Sequence, residues 1–202
     1  MTGTGNVAAR RPGSAGAAAA GGPAREVVLS LGSNLGDRLA HLQLGIDTLA
    51  GAGGLALTAV SGIYQTAPVG GPDQDDYFNV VALAVSALPP AAVLARCAAA
   101  EEAAGRVRAV RWGPRSLDVD IIACGELTNS DPALTLPHPR AHERAFVLVP
   151  WLEIEPDAVL PGFGPVARLP AAQDRSGVRR LTGPGLRLPA GTGSPRAATD
   201  GR

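Results

Sequence analysis

The order of the apolar segments between residues 25 and 170 constrains the fold of this 202-residue chain more than any other feature. Short runs rich in Val, Leu and Ile predict strands, and apolar residues at steps of three and four predict helices. The segments are a strand at 26–32, a helix along Leu35, Leu39, Leu42, Ile46 and Leu49, strands at 55–66 and 77–85, a helix from Pro89 and Pro90 to Gly105, and a strand at 117–125. This β-α-β-β-α-β order predicts a ferredoxin-like α+β sandwich, in which helices pack on one face of an antiparallel sheet.

The two ends of the chain lack such a pattern. Residues 1–24 are rich in Gly and Ala, and residues 171–202 mix Gly, Pro, Ser and charged residues with few large apolar side chains. Segments of this kind bury too little apolar surface to offset the entropy lost on ordering. We therefore expect one domain at residues 25–170 between two disordered tails, residues 1–24 and 171–202.

The composition excludes several kinds of chemistry. All 18 positively charged side chains are arginines, so any mechanism that needs a lysine, such as a P-loop or a Schiff base, is excluded. The formal net charge of zero gives the molecule no general attraction for nucleic acids or membrane surfaces. The two cysteines and the lack of a membrane-length apolar run lead us to expect a cytoplasmic protein that does not span a membrane.

Two carboxylates lie in the last predicted strand, in the stretch RWGPRSLDVDII (111–122). Side chains alternate along a strand, so Asp118 and Asp120 point to one face, about 6–7 Å apart. Their mutual repulsion is relieved by a cation, and oxygen ligands suit Mg²⁺. Taken alone, a D-x-D pair is more often an ordinary solvated strand face.

Four arginines precede this pair, at positions 106, 108, 111 and 115. Surface ion pairs contribute only about 0–1 kcal/mol each, which is a weak reason for such a cluster. A polyphosphate held by Mg²⁺ explains both signs of charge, because arginine binds phosphate oxygens in a bidentate way and the metal bridges phosphate to carboxylate. Trp112 either stiffens this segment or packs as an ordinary apolar residue.

Two further segments carry candidate binding residues. Tyr77 and Asn79 follow a Gly- and Pro-rich loop, and an aromatic face with an amide suits a flat heterocycle, although a strand entry often contains such residues.

In LPHPRAHERAF (136–146), His138 and His142 are four residues apart. Prolines on both sides of His138 and the lack of a third nitrogen or sulfur ligand nearby disfavour zinc, and phosphate contacts fit better.

Five motifs in order resemble the 6-hydroxymethyl-7,8-dihydropterin pyrophosphokinases of folate biosynthesis. They are LSLGSNLGDR, the Y-x-T-x-P loop with DYFN, GRVR, RWGPRSLDVDI and LPHPRAHERAF, and they cover about residues 26–160. The resemblance implies that the protein transfers the pyrophosphate of ATP to the dihydropterin hydroxymethyl group and releases AMP. It also implies a monomer with two Mg²⁺ ions held by Asp118 and Asp120.

The resemblance assigns roles to individual residues. The pterin-pocket positions it implies are Thr66, Val69, Tyr77, Asn79, Trp112 and Phe146. The ATP positions it implies are Glu101, Arg106, Arg108, Arg115, Ile121, Thr135, His138 and Arg144. Arg106 and Arg115, with the two aspartates, are the expected catalytic residues. The segment between Arg108 and Trp112 is one residue shorter than in typical family members, and Pro139 replaces a common aromatic residue.

Two other functions remain open on the residues alone. A D-x-D motif also occurs in nucleotide-sugar transferases, although these usually need a larger nucleotide-binding fold. A ferredoxin-like regulatory domain that binds a nucleotide without turnover is the non-enzymatic alternative. An assay with ATP, Mg²⁺ and hydroxymethyl-dihydropterin that detects AMP distinguishes the three.

Overall fold

The computed structural model describes residues 22–70, 73–106 and 113–189. The strands within these residues are β1 (Arg25–Ser33), β2 (Leu55–Val60), β3 (Tyr64–Thr66), β4 (Tyr77–Ser86), β5 (Asp118–Cys124), β6 (Val159–Leu160), β7 (Gly164–Pro165) and β8 (Arg179–Arg180). The helices are α1 (Arg38–Gly51), α2 (Pro90–Ala103), α3 (Ala145–Ile154) and α4 (Pro170–Gln173), with short 3-10 turns at Ala141–Glu143 and Val166–Arg168.

The main sheet is antiparallel with the order β5-β1-β4-β3-β8, and β2 also pairs with β4. This arrangement confirms the predicted ferredoxin-like fold. The strand predicted at 55–66 is in fact two strands. The chain bends at Ser61, whose hydroxyl accepts a hydrogen bond from the Val81 backbone N–H at 3.0 Å and whose own N–H donates to the Val81 carbonyl at 2.9 Å.

Helices cover both faces of the sheet, which corrects the expectation of one covered face. Leu29 and Leu31 of β1 pack with α1 and α2, whereas Val28 packs with Leu148 and Trp151 of α3. The second face is covered because β1 is apolar at successive positions, and both sides of such a strand need a packing partner.

The ends of α1 and α2 are set by local signals. Asp37 caps α1 by accepting a hydrogen bond from the Ala40 N–H at 3.0 Å, and Gly105 follows α2 with φ +67°. The stripe predicted for α1 is wrong at its start. Leu35 and Leu39 are 49% and 43% exposed, because they lie at or before the first turn of the helix and do not reach the core.

The C-terminal boundary predicted at residue 170 is also corrected. Residues beyond it form α4 and β8, and β8 pairs with β3. Of the predicted tails, 1–24 and 171–202, residues 1–21 and 190–202 lie outside the described residues. Within the described ranges, no helix is long and apolar enough to cross a bilayer.

Candidate active site

The candidate site is built on the sheet face that also carries α3. Asp118 and Asp120 of β5 lie opposite Gly32 and Ser30 of β1, and Gly32 in turn lies opposite Asn79 of β4. Directly opposed residues in antiparallel strands share a face, so the two aspartates and Asn79 project to the same side. A Cβ atom at Gly32 would lie 3.0 Å from Asn79 Oδ1 and 3.5 Å from the Tyr77 ring, so a side chain at this position would crowd the amide.

Asp118 is held by two arginines. Arg106 Nη2 lies 2.8 Å from Oδ1, and Arg115 Nη1 lies 2.5 Å from Oδ2. Arg106 also pairs with Glu101 of α2, whose Oε1 accepts a hydrogen bond from the Val119 backbone N–H at 2.9 Å. Helix α2 and strand β5 therefore orient the guanidinium groups at this end of the site.

Asp120 has a separate set of partners. Arg144 Nη1 and His138 Nε2 lie 3.1 and 3.7 Å from its Oδ2. The His138 Nδ1 accepts a hydrogen bond from the Arg140 N–H at 3.1 Å, so the neutral imidazole carries its proton on Nε2, the nitrogen that faces Asp120. Burial lowers the pKa of His138 below its ordinary value, although the charge of Asp120 acts in the opposite direction.

Several of the predicted pterin residues lie on the strands beside these carboxylates. Asn79 Nδ2 donates a hydrogen bond to Thr66 Oγ1 at 3.0 Å, which fixes the amide with Oδ1 toward the space above Gly32. Tyr77 pairs with Thr66 across the strands, and burial raises the pKa of its hydroxyl. The Arg144 guanidinium lies 5.5 Å from the centre of the Phe146 ring, which places that ring next to the Asp120 cluster.

The structure does not bring every predicted residue into the site. Val69 is 71% exposed in the loop before β4, and Thr135 donates a hydrogen bond to the Asp131 carbonyl within its own loop. The Ile121 side chain packs in the core on the opposite face, so it can offer a ligand only its main chain. Arg108 and Trp112 lie outside the described residues.

Asn34 is a residue of the site that the sequence analysis did not single out. It is 2% exposed, and its Nδ2 donates to the Gln74 side chain and to the Asp75 carbonyl, while its Oδ1 accepts from the Arg115 N–H at 2.8 Å. Asn34 thus joins the loop before β4 to the loop before β5. Asp37 caps α1, so Asn34 is not needed for capping. A polar residue with no local hydrogen-bonding role is the sequence signal that could have pointed to a distant partner for Asn34.

The carboxylate pair fits a divalent ion that also binds substrate oxygens. Within the described residues, no group of three His, Cys, Asp or Glu side chains is placed to hold a metal by itself. Asp118 and Asp120 are 25% and 37% exposed and supply only oxygen, which suits Mg²⁺ with water and phosphate as its other ligands.

The fold and the site define a ferredoxin-like α+β protein whose sheet carries paired carboxylates and arginines beside a tyrosine and a buried amide. The chain belongs to the 7,8-dihydro-6-hydroxymethylpterin-pyrophosphokinase (HPPK) family, whose model matches residues 28–156. The matched segment contains all the site residues described above, and it confirms the resemblance seen in the motifs.

Individual relatives and solved structures agree with this assignment. The 2-amino-4-hydroxy-6-hydroxymethyldihydropteridine pyrophosphokinase of Mycobacterium bovis is 48% identical over 169 residues, which cover 76% of this chain and 88% of the relative. The protein of the same name from Pseudomonas aeruginosa is 38% identical over 159 residues, which cover 79% of this chain and 98% of the relative. A crystal structure of an HPPK-DHPS in complex with substrates has a TM-score of 0.61 at 12% identity, covering 79% of this chain and 47% of that chain. The present chain spans about half the length of that protein, and likeness at this identity shows the fold alone.

Proposed function

We propose that this chain transfers the pyrophosphoryl group of ATP to the hydroxymethyl group of 6-hydroxymethyl-7,8-dihydropterin, giving AMP and the dihydropterin diphosphate, a step of folate biosynthesis. One observation carries the proposal. In a chain of the HPPK family, Gly32 of β1 lies between a carboxylate bound by arginines and a buried amide.

The pterin binds above Gly32. Asn79 presents Oδ1 to the N–H groups on the ring edge, and Thr66 holds that amide in place. Tyr77 and Phe146 supply flat faces on which a heterocycle stacks. The hydroxymethyl group then points along the sheet toward β5, where the acidic pair lies.

The charges of the site explain why metal accompanies ATP. Its described ion pairs join three guanidinium groups, those of Arg106, Arg115 and Arg144, to three carboxylates, those of Glu101, Asp118 and Asp120. With these charges balanced, a polyphosphate would bring an uncompensated negative charge. Asp118 and Asp120 would hold Mg²⁺, two ions in this proposal, and the metal would supply positive charge against the phosphate oxygens. Each arginine released from a carboxylate would then be free to bind phosphate oxygens.

In the reaction, the hydroxyl oxygen attacks the β-phosphorus of ATP in line, the bond from that phosphorus to the bridging α,β-oxygen breaks, and AMP leaves. Positioning and charge neutralisation supply most of the catalysis in such transfers. His138 acts as a hydrogen-bond donor, since its Nδ1 is occupied and its Nε2 carries the proton. Asp120 is a poor base because it already accepts from Arg144.

The test is direct. Purified protein with ATP, Mg²⁺ and 6-hydroxymethyl-7,8-dihydropterin should form AMP and a dihydropterin diphosphate in equal amounts, as measured by chromatography. ADP as the product, or ATP binding without turnover, would overturn the proposal.

We also propose that the protein is a cytoplasmic monomer. The two free buried cysteines are in keeping with a reducing compartment, and light scattering after gel filtration measures the oligomeric state.

A further inference from the structure

The C-terminal segment 174–189, called the C-terminal strap below, crosses the edge of the sheet next to the pterin pocket. Arg179 and Arg180 pair with Gln65 and Tyr64 of β3, and the Leu181 N–H donates to the Ile63 carbonyl at 2.8 Å. Without these contacts β3, which is only three residues long, would be an edge strand. The strap therefore gives the strand that carries Thr66 a hydrogen-bonding partner on its outer side.

A second contact anchors the strap to α3. Arg180 donates from Nη2 and Nε to Glu153 Oε1 at 2.7 and 3.0 Å, and Glu153 Oε2 accepts from the Gly62 N–H at 2.9 Å. The guanidinium occupies the space that a side chain at residue 62 would need, because a Cβ there would lie 2.7 Å from Arg180 Nη2. The glycine thus allows the strap to pack against the bend before β3.

A third contact connects the strap to the loop that precedes Tyr77. The Arg179 guanidinium donates to Gln65 Oε1, and Gln65 Nε2 donates to Asp76 Oδ2 at 2.6 Å. Gln65 is adjacent to Thr66, and Asp76 is adjacent to Tyr77. Through the Gln65 side chain, the strap is therefore connected to the residue before Thr66 and to the residue before Tyr77.

The far end of the strap is fixed on the opposite face of the molecule. The Gln43 side chain of α1 accepts from the Arg187 N–H at 2.9 Å and donates to the Arg187 carbonyl at 2.8 Å, and Leu181, Leu186 and Leu188 pack against the core. The segment is therefore held at both ends, by α1 at one and by β3 at the other.

We propose that the C-terminal strap positions the pterin pocket, with Arg179, Arg180 and Gln65 as positioning residues. Pairing with β3 and the Arg179–Gln65–Asp76 contacts hold Thr66 and Tyr77 at their correct separation before substrate binds. This inference rests on the proposed function, because it concerns the pterin side of the same site.

The test uses full-length Arg179→Ala, Arg180→Ala and Gly62→Ala. Each should raise the KM for the dihydropterin about three- to tenfold, the size expected for loss of one or two polar contacts, while kcat and the KM for ATP stay within about twofold. Because Gly62→Ala and Arg180→Ala disturb the same contact, their double variant should resemble either single one. Arg187→Ala is the matched control, since only the backbone of Arg187 bonds Gln43, and it should leave all constants unchanged.

Hydrogen exchange separates this inference from the proposed function. Amides at 63–66 and 74–77 should exchange faster in Arg179→Ala and Arg180→Ala than in the wild type or in Arg187→Ala, whether or not the protein turns over a dihydropterin. Unchanged exchange in these segments overturns the inference, as does an equal change in all kinetic constants. If the wild type forms no AMP but amide exchange accelerates in the two variants as expected, the proposed function is wrong. The inference that the C-terminal strap stabilises β3 is still supported in that case.

Discussion

At the scale of single residues, Gly32 determines how close a ligand can approach the sheet. It lies opposite both Asp118 and Asn79, so any side chain at this position would project between the two halves of the site. Glycine at a strand position usually weakens the strand and often marks a close approach of a ligand or of another backbone.

We expect Gly32→Ala to raise the KM for the dihydropterin by about tenfold or more, because a Cβ would lie 3.0 Å from Asn79 Oδ1 and 3.5 Å from the Tyr77 ring. The KM for ATP should change little. Steady-state kinetics measures both constants. Gly51→Ala, at the end of α1 with open space around it, is the control. Unaltered pterin binding by Gly32→Ala would place the pterin elsewhere.

In the proposed function, Asp118 is the residue at which metal and arginine compete. Asp118→Asn should lower kcat on the order of 100-fold or more, because the metal loses a charged ligand. Binding of metal-free ATP should be retained or tightened, since Arg106 and Arg115 lose their carboxylate partner. Calorimetry in EDTA measures that binding, and Asp157→Asn, at an exposed turn position, is the control. Full Mg²⁺-dependent activity in Asp118→Asn would contradict the assigned role.

At the scale of elements, the site depends on loops held by side chains from the sheet. Asn34 follows β1 and bonds to both the loop before β4 and the loop before β5, and Arg115 adjoins this junction. The strands alone do not set the positions of these loops. A single amide therefore couples the pterin side of the site to the phosphate side.

Asn34→Ala should lower kcat/KM for both substrates by about 10-fold or more, since it leaves the buried N–H of Arg115 and the loop carbonyl of Asp75 without a partner. Hydrogen exchange in residues 73–76 and 113–116 should accelerate together. Asn129→Ala, whose amide bonds only within its own hairpin loop, serves as the control. A loss confined to one substrate would argue against coupling of the two loops.

The strap contact between α3 and β8 predicts a dependence on pH. Burial alone would raise the pKa of Glu153, but hydrogen bonds from Arg180, Gly62 and Tyr64 hold it below its ordinary value of 4.5. A carboxyl group with a lowered pKa in the folded state contributes stability that is complete above pH 4.5 and is lost as the pH falls through the folded pKa.

The Tm of the wild type should therefore decrease as the pH is lowered below about 4.5. Glu153→Gln should show a smaller decrease over the same range. Thermal unfolding between about pH 3 and pH 7 measures the difference. Glu102→Gln, exposed on α2, should keep the wild-type slope. Identical slopes for Glu153→Gln and the wild type would show that this carboxylate does not stabilise the folded state.

At the scale of the whole molecule, one sheet separates two cores. α1 and α2 close one core and α3 closes the other, while the site lies where the polar ends of β1, β4 and β5 emerge on the α3 side. The second core holds Arg144 and Phe146 in place, because both lie at the start of α3.

Trp151→Ala should lower the free energy of unfolding by about 3–5 kcal/mol, since Trp151 is fully buried in the second core. Denaturant unfolding followed by circular dichroism measures this value. Val159→Ala, at a half-exposed position, should change it by less than about 0.5 kcal/mol. A small effect of Trp151→Ala would mean that the second core adds little to the fold.

Local signals made much of the fold predictable. The apolar segments and the proline at the start of α2 each depend on neighbours within a few residues. The same holds for the shared face of Asp118 and Asp120, which follows from strand alternation. The bend at Ser61 and the helices on the second face were missed, because each depends on contacts with residues far away in the chain.

The sequence by itself determined the order of the main elements, the family and the acidic pair, because alternation, capping and motif spacing are encoded within short stretches. Only the tertiary structure decided that Asn34 joins two loops, that Gly32 lies between carboxylate and amide, and that residues 179–181 extend the sheet beside the pterin pocket. Those contacts connect residues that are 40 to more than 100 positions apart, and no local pattern specifies which distant groups meet when the chain packs.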